Sequence, residues 1–271
     1  MRLPAKMSGV LLTRHGGPEA LEWRDDIPVP SPGPGQVLVR VLAAGVNNTD
    51  INTRIGWYSP DVTGATDDVD QDVEAGGWGG ALAFPRIQGG DLCGRIVALG
   101  VGVEGLATDQ RVTCPINLPR PTQETPQAYI ALGSELDGAF AQYCLVEAAD
   151  LYDVSVSPLS DVEIAAMPCA FGTAENLLTR AAVCAGQSVL ITGASGGVGL
   201  AAVQLATLRG ARVTGIASPA KADAVRKAGA ESILERNATP PENGFDVLID
   251  VVAGPAWPAL IRALKAGGHY A

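Results

Sequence analysis

Apolar and polar positions follow two different rhythms along this chain, and the change of rhythm divides it. In the first half the dominant period is two: residues 36–43 alternate after the turn-rich stretch 28–35, and 92–99, 111–114 and 140–146 are further strand-like runs. Helical periodicity is scarce there. From Ser157-Pro158 onward the texture shifts, with Ser160 and Glu163 at capping-box spacing ahead of an Ala-rich helical segment. Beyond it, strands at 188–192, 211–217, 231–234 and 245–252 are interleaved with helices at 197–208, 219–228 (ended by Gly229) and 256–265. Such interleaving predicts a parallel sheet wrapped by right-handed crossovers. Two domains are expected, 1–156 rich in β structure and 157–271 of α/β type.

The join between the first strand and first helix of the second domain is the most specific motif. An apolar strand ending at Thr192 runs into Gly193-Ala194-Ser195-Gly196-Gly197-Val198-Gly199 and then into an apolar helix. Gly193 suits the tight turn, Gly196 and Gly197 let backbone N–H groups approach phosphate oxygens, and Gly199 lets the helix lie close to the strand. The turn is expected to hold a dinucleotide pyrophosphate at a helix N-terminus.

Composition narrows the partners. The chain has 271 residues and a net charge of −10, with 19 acidic against 10 basic residues up to residue 150 and 10 against 9 after it. Clustered Lys and Arg, which nucleic acid or an anionic membrane needs, are absent. No apolar run approaches the ~20 residues of a spanning helix, and residues 1–7 lack the apolar core of a signal peptide. Five cysteines stand singly with no Cys-x-x-Cys pair, a reduced-compartment pattern that points to the cytoplasm. Segment 61–74 carries six acids and no base before a Gly/Trp run, and reads as a surface loop.

Thr192-Gly193-x-x-x-Gly197-x-Gly199 resembles the short-chain dehydrogenases, but those begin with the motif and follow it with a Tyr-x-x-x-Lys pair that this chain lacks. Four other stretches, in order, carry a closer resemblance: residues 43–50 (Ala-Ala-Gly-Val-Asn-Asn-Thr-Asp), 90–97 (Gly-Asp-Leu-Cys-Gly-Arg-Ile-Val), 137–143 (Asp-Gly-Ala-Phe-Ala-Gln-Tyr) and 245–250 (Phe-Asp-Val-Leu-Ile-Asp). With the glycine turn, whose signature continues to Gln204 and departs at Thr207, they identify a chain similar to the zinc-free quinone reductase (zeta-crystallin-like) branch of the medium-chain dehydrogenase/reductase superfamily. The resemblance implies a GroES-like β-barrel domain followed by an α/β Rossmann domain, with the nicotinamide in the cleft between them, and homodimers. It also implies a further segment after Gly267-Gly268-His269-Tyr270, so the chain is expected to be C-terminally incomplete, and Met1–Lys6 to be an extension.

The resemblance also frames the site. In zinc-dependent relatives Cys and His ligands hold a tetrahedral metal that polarises the substrate oxygen. Here the corresponding places read Asn47 and Gly90-Asp91, leaving Cys169 alone at a ligand-like position, and the structural-zinc loop lacks its cysteines. A metal-free protein is expected. An NAD site would place Asp or Glu at the end of the second strand, where this chain has Ala217-Ser218. Ser218 can donate to a 2′-phosphate, and Lys221 and Arg236 can supply countercharge, which favours NADPH. Asn47, Asn52 and Tyr58 are the candidate catalytic residues, and Thr173 resembles the family Thr near the nicotinamide. The expected reaction is metal-free hydride transfer from NADPH to a quinone or α,β-unsaturated carbonyl. Alternatives are an alcohol dehydrogenase or aldehyde reductase of the same architecture, and a non-catalytic NADPH-binding protein.

Overall fold

The computed structural model describes residues 3–59, 82–254 and 257–271, so the acidic segment 61–74 lies outside the described residues. The chain divides into two compact units, Met1–Cys169 and Ala170–Ala271.

The first unit is built from strands β1 (Lys6–Leu12), β2 (Leu21–Pro28), β3 (Gln36–Gly45), β4 (Arg86–Ile87), β5 (Asp91–Leu99), β6 (Arg111–Thr113), β7 (Asn117–Pro119), β8 (Tyr129–Ala131), β9 (Tyr143–Glu147) and β10 (Tyr152–Asp153). Helix α1 (Asn48–Arg54) follows β3, and α2 (Asp161–Ala165) follows β10. Its central sheet has the order β10-β6-β5-β3-β9, beside a three-stranded sheet β2-β1-β4 and the pair β7-β8. The β3–β5 pairing is antiparallel, bringing Val37 opposite Leu99 and Val39 opposite Ile96. Val37, Val39, Leu92, Ile96, Val112, Cys114, Cys144 and Val146 form the core this pairing closes. Burial pushes the Cys144 thiol up to about 12 and Cys114 well above its ordinary value, so both behave as small apolar residues.

Two elements escape the period-two reading. The strand β2 is exposed along almost its whole length and so shows no apolar alternation, its place being set by pairing with β1. Helix α1 has a single apolar residue, the exposed Ile51, and buries only Asp50 and Thr53, leaving no apolar stripe to see. The capping box at Ser160 and Glu163 is present, but α2, which it opens, packs Ile164 and Ala165 against Cys93 of β5. The compact units therefore divide after Cys169 rather than after Val156.

Helix α3 (Pro168–Arg180) leads into β11 (Ser188–Ile191), α4 (Gly197–Leu208), β12 (Arg212–Ile216), α5 (Ala222–Lys227), β13 (Ser232–Leu234), β14 (Phe245–Ile249), α6 (Trp257–Ala263) and β15 (Leu264–Tyr270). The sheet of the second unit is parallel throughout, in the order β13-β12-β11-β14-β15, which is the doubly wound order expected of a Rossmann domain. Every residue of β11 beyond Ser188 is buried, as helices on both faces require. Helix α4 packs through Gly199, Ala201, Ala202, Val203 and Ala206, small residues that let it lie close to the sheet. The helix expected at 219–228 is interrupted: Pro219–Lys221 is a turn of 3₁₀ helix before α5 begins. Pro219 presets the first turn, and the side chains that follow it are largely solvated.

Candidate active site

At Gly193 and Gly199 the glycine turn of the second unit is as tight as its sequence predicts. Gly193 sits at φ +54°, and a Cβ there would lie 2.9 Å from the Cγ2 atoms of both Val251 and Val252. Gly199 is tighter still, since its Cβ would meet the Gly193 carbonyl oxygen at 2.1 Å and Ala194 Cα at 2.7 Å. Two amides of the turn are used internally: Ala194 N–H donates to the Ile216 carbonyl (3.2 Å) and Gly196 N–H to the Gly193 carbonyl (2.9 Å). The N–H groups of Ser195, Gly197 and Val198 have no acceptor among the described residues, and the last two open α4. These are the groups that an anion at a helix N-terminus would use.

A cavity of about 650 Å³ adjoins the turn, bounded by Gly193 and Ser195 on one side and by Arg236, Asn237 and Thr239 on another. Thr192, Ile216 and Asp250 mark the carboxyl ends of three parallel strands along it, the place where open α/β sheets bind ligands. Asp250 is the hub of this edge. Its carboxylate accepts from Thr192 Oγ1, from the Val252 and Ala253 amides, from Trp257 Nε1 (3.0 Å) and from Tyr270 Oη (2.7 Å). Burial opposes its charge, but the hydrogen bonds from Thr192, Tyr270 and the backbone prevail and hold the carboxyl below the usual range. The motif 245–250 was readable from sequence, yet this role was not, because the donors arrive from four places: the end of β11, the turn after β14, α6 and β15.

Of the residues expected at the ribose, Arg236 lines the cavity. Ser218 and Lys221 do not; they bracket the 3₁₀ turn after β12, where Lys221 N–H donates to the Ser218 carbonyl at 3.0 Å and the Lys221 side chain is solvated. Thr173 lies on an exposed face of α3.

In the first unit the candidate catalytic side chains gather around α1: Asn47 caps it, Asn52 lies on it and Tyr58 follows it. Tyr58 Oη donates to Thr49 Oγ1 at 3.0 Å, and Asn52 makes a further hydrogen bond to Tyr58. Burial raises the Tyr58 phenol above its ordinary value, so it remains a proton donor at neutral pH. Asn47 is held at both ends: Asp50 Oδ2 accepts its backbone N–H at 2.8 Å and Asp91 Oδ2 accepts its side-chain Nδ2 at 2.9 Å. The second Asp91 oxygen accepts Cys169 N–H at 2.8 Å. Sequence reasoning missed both carboxylates, although each belongs to a stretch it singled out.

Asp50 is nearly buried, and that burial pushes its carboxyl up to about 6 against the N–H groups of Asn47 and Gly89 and with the help of the Asp91 charge. A raised carboxyl favours the folded state most at low pH and loses that advantage as pH rises from the unfolded value of about 3.9 to about 6. Thermal melts of Asp50→Asn should therefore lack the fall in Tm that the parent protein shows across that window. An unchanged pH profile would count against the assignment.

The model of the Alcohol dehydrogenase GroES-like domain matches residues 33–156, and that of the Zinc-binding dehydrogenase matches residues 197–271. A solved structure from Sinorhizobium meliloti 1021, provisionally named an alcohol dehydrogenase, is 37% identical with a TM-score of 0.87, over 99% of this chain and 75% of that one. This chain belongs to the medium-chain dehydrogenase/reductase superfamily. Within it, the likeness extends to the quinone reductase branch: the acryloyl-coenzyme A reductase of Metallosphaera sedula is 29% identical over 97% of this chain and 75% of its own length. The human quinone oxidoreductase is 29% identical over 97% of this chain and 71% of its own. Membership of the superfamily makes the protein an NAD(P)-dependent oxidoreductase.

The zinc that one family name carries does not fit these residues. At the first ligand position Asn47 offers an amide already donated to Asp91. At the second, a histidine in place of Gly90 would have to displace Ile116, because even a Cβ there would lie 2.2 Å from Ile116 Cδ1 and 2.5 Å from its Cγ1. Only Cys169 is a soft donor, and zinc needs a set of them. Among the described residues no group of three or more His, Cys, Asp or Glu side chains is placed to hold a metal.

Proposed function

We propose that the protein is a metal-free, NADPH-dependent reductase of quinones or α,β-unsaturated carbonyl compounds. The observation that supports it most is the cavity at the glycine turn, which offers free amides for a pyrophosphate and ends at Arg236, with no carboxylate at the end of β12 to claim a ribose 2′-hydroxyl. The residues fit the dinucleotide, which when bound supplies a hydride. Ser195, Gly197 and Val198 would bind its pyrophosphate, and Arg236, which lines the cavity, would meet the 2′-phosphate, while Ser218 and Lys221, expected from sequence to serve the same phosphate, stand outside the cavity lining. Thr173 and the rest of the turn, Gly193, Ala194, Gly196 and Gly199, complete that assignment.

An alkene or quinone conjugated to a carbonyl is already electrophilic, so no Lewis acid is required. The work left to the protein is orientation and hydrogen bonding at the oxygen where charge develops. Asn52 and Tyr58 are the groups we assign to that oxygen, with the neutral Tyr58 phenol as the proton donor and Asn47 as a fixed polar contact beside the reacting carbon. A homodimer and a cytoplasmic location belong to the same reading; none of the five cysteines is joined in a disulfide, and no helix among the described residues is long and apolar enough to cross a membrane.

The test is NADPH oxidation by purified protein with 1,4-benzoquinone and 3-penten-2-one, followed by absorbance, alongside metal analysis. Turnover without stoichiometric zinc is expected. Tyr58→Phe should lower kcat by about tenfold or more while leaving NADPH affinity within twofold. Arg236→Ala should weaken NADPH by roughly tenfold and NADH hardly at all, since a charge-assisted contact to phosphate is lost. Equal affinity of the parent protein for NADH and NADPH overturns the cofactor choice, and turnover that requires zinc overturns the mechanism.

A further inference from the structure

Asp91 is 1% exposed, and a carboxylate so deeply placed has to be satisfied. Its two oxygens are divided between two partners: Oδ2 takes Asn47 Nδ2 at 2.9 Å and Oδ1 takes Cys169 N–H at 2.8 Å, the latter in the first turn of α3. Asn47, Asp91 and Cys169 thus occupy the positions that would surround a metal in zinc-dependent members, and here they are fastened to one another. We propose that Asp91 is a positioning residue that locks the Asn47 side chain in a single orientation.

The chemistry of the pair fixes that orientation. An ionised carboxylate only accepts, so the branch of the Asn47 amide facing Asp91 is the NH₂ group. Asn47 Oδ1 is then the branch left to serve as an acceptor. Asp50 prevents the residue from escaping by a backbone shift, since it holds the Asn47 N–H at 2.8 Å. Asn47 itself is only half-buried, so without Asp91 nothing but the capping-box approach of the Asp50 backbone N–H would oppose a turn of its amide that exchanges donor for acceptor. Asp91 has no room to act on a substrate directly and acts through Asn47. This inference rests on the assignment of Asn47 in the proposed reaction, but the lock itself does not.

Two measurements separate the two. In kinetics, Asn47→Ala and Asp91→Asn should each lower kcat about tenfold with the KM for NADPH within twofold, and the double variant should fall no further than Asn47→Ala alone, as coupled residues do. Effects that multiply to about a hundredfold, or Asp91→Asn at parental kcat with a lowered Tm, would show that Asp91 merely fastens α3 and would overturn the proposal. In ¹⁵N NMR of the full chain, the Asn47 side-chain amide, found by its loss in Asn47→Ala, should show two widely separated proton shifts and slow exchange in the parent protein. A narrow, rapidly exchanging pair overturns the lock whether or not Asp91→Asn folds. If the protein reduces neither test compound, the reaction assignment fails while the NMR result still decides the lock.

Discussion

Gly199→Ala is expected to remove dinucleotide binding almost completely. The added methyl carbon would stand 2.1 Å from the Gly193 carbonyl oxygen and 2.7 Å from Ala194 Cα, both backbone atoms of the turn that cannot rotate away. Either α4 moves off the sheet or the turn opens, and overpacking of this kind costs about 1–3 kcal/mol. The larger consequence is geometric. The N–H groups of Gly197 and Val198 travel with the start of α4, so a shift of even 1 Å takes them out of hydrogen-bond range of a phosphate, and we expect affinity for NADPH to fall by roughly a hundredfold or more. Titration calorimetry of the variant, with circular dichroism to confirm that it has folded, is the direct check. Binding within a few-fold of the parent would mean that the turn is not the phosphate site.

The second large effect should come from Asp250→Asn. One carboxylate here collects donors from the end of β11, the turn after β14, α6 and β15. An amide has a single acceptor oxygen and directs two hydrogens toward groups that are themselves donors. Loss of charge-assisted hydrogen bonds of this type costs about 1.5–3 kcal/mol each, and with partial solvent compensation we expect a total loss of roughly 2–4 kcal/mol at neutral pH. The pH dependence has a definite sign. Because the folded carboxyl lies below its usual range, its contribution is present above the unfolded value of about 3.9 and is lost as pH falls toward the folded one. Denaturant melts should therefore show the parent and variant converging on acidification. A constant gap between them from pH 7 to pH 3 would contradict the role given to the carboxylate.

Much of the second unit could be read from its residues because local rules and tertiary structure agree there. The buried strand β11, the glycines and the small-residue face of α4 each follow from one physical demand, close approach of helix, strand and ligand, and that demand is written within one short continuous stretch, Ser188 to Ala206. The first unit is harder. Helix α1, around which the candidate side chains gather, has no apolar face, since what holds it is Asp50 bonding to Asn47 and to the Gly89 amide, and the Gln88 side chain bonding to the Asp50 carbonyl. Polar contacts between residues some forty positions apart leave no periodicity. The same reason hid the role of Asp91, which stands just before the strand-like run 92–99 and reads there only as an altered metal-ligand motif, its partners Asn47 and Cys169 lying far off in the sequence. Arg236 was found by its charge, whereas the exclusion of Ser218 and Lys221 from the cavity depends on a 3₁₀ turn that no pattern of apolar residues announces.

The bond between Asn47 and Asp91 bears on how this lineage can change. Metal chemistry at this place would have to begin with a thiol or imidazole at position 47 or 90, and either first step meets a penalty before any ion can offset it. Cysteine at 47 strands a buried carboxylate oxygen, at a cost of about 1–3 kcal/mol, and any side chain at 90 must first displace Ile116. Neither intermediate gains a complete ligand set in compensation. The hydrogen bond at position 47 and the packing at position 90 therefore each oppose the single substitution that would start a coordination sphere there.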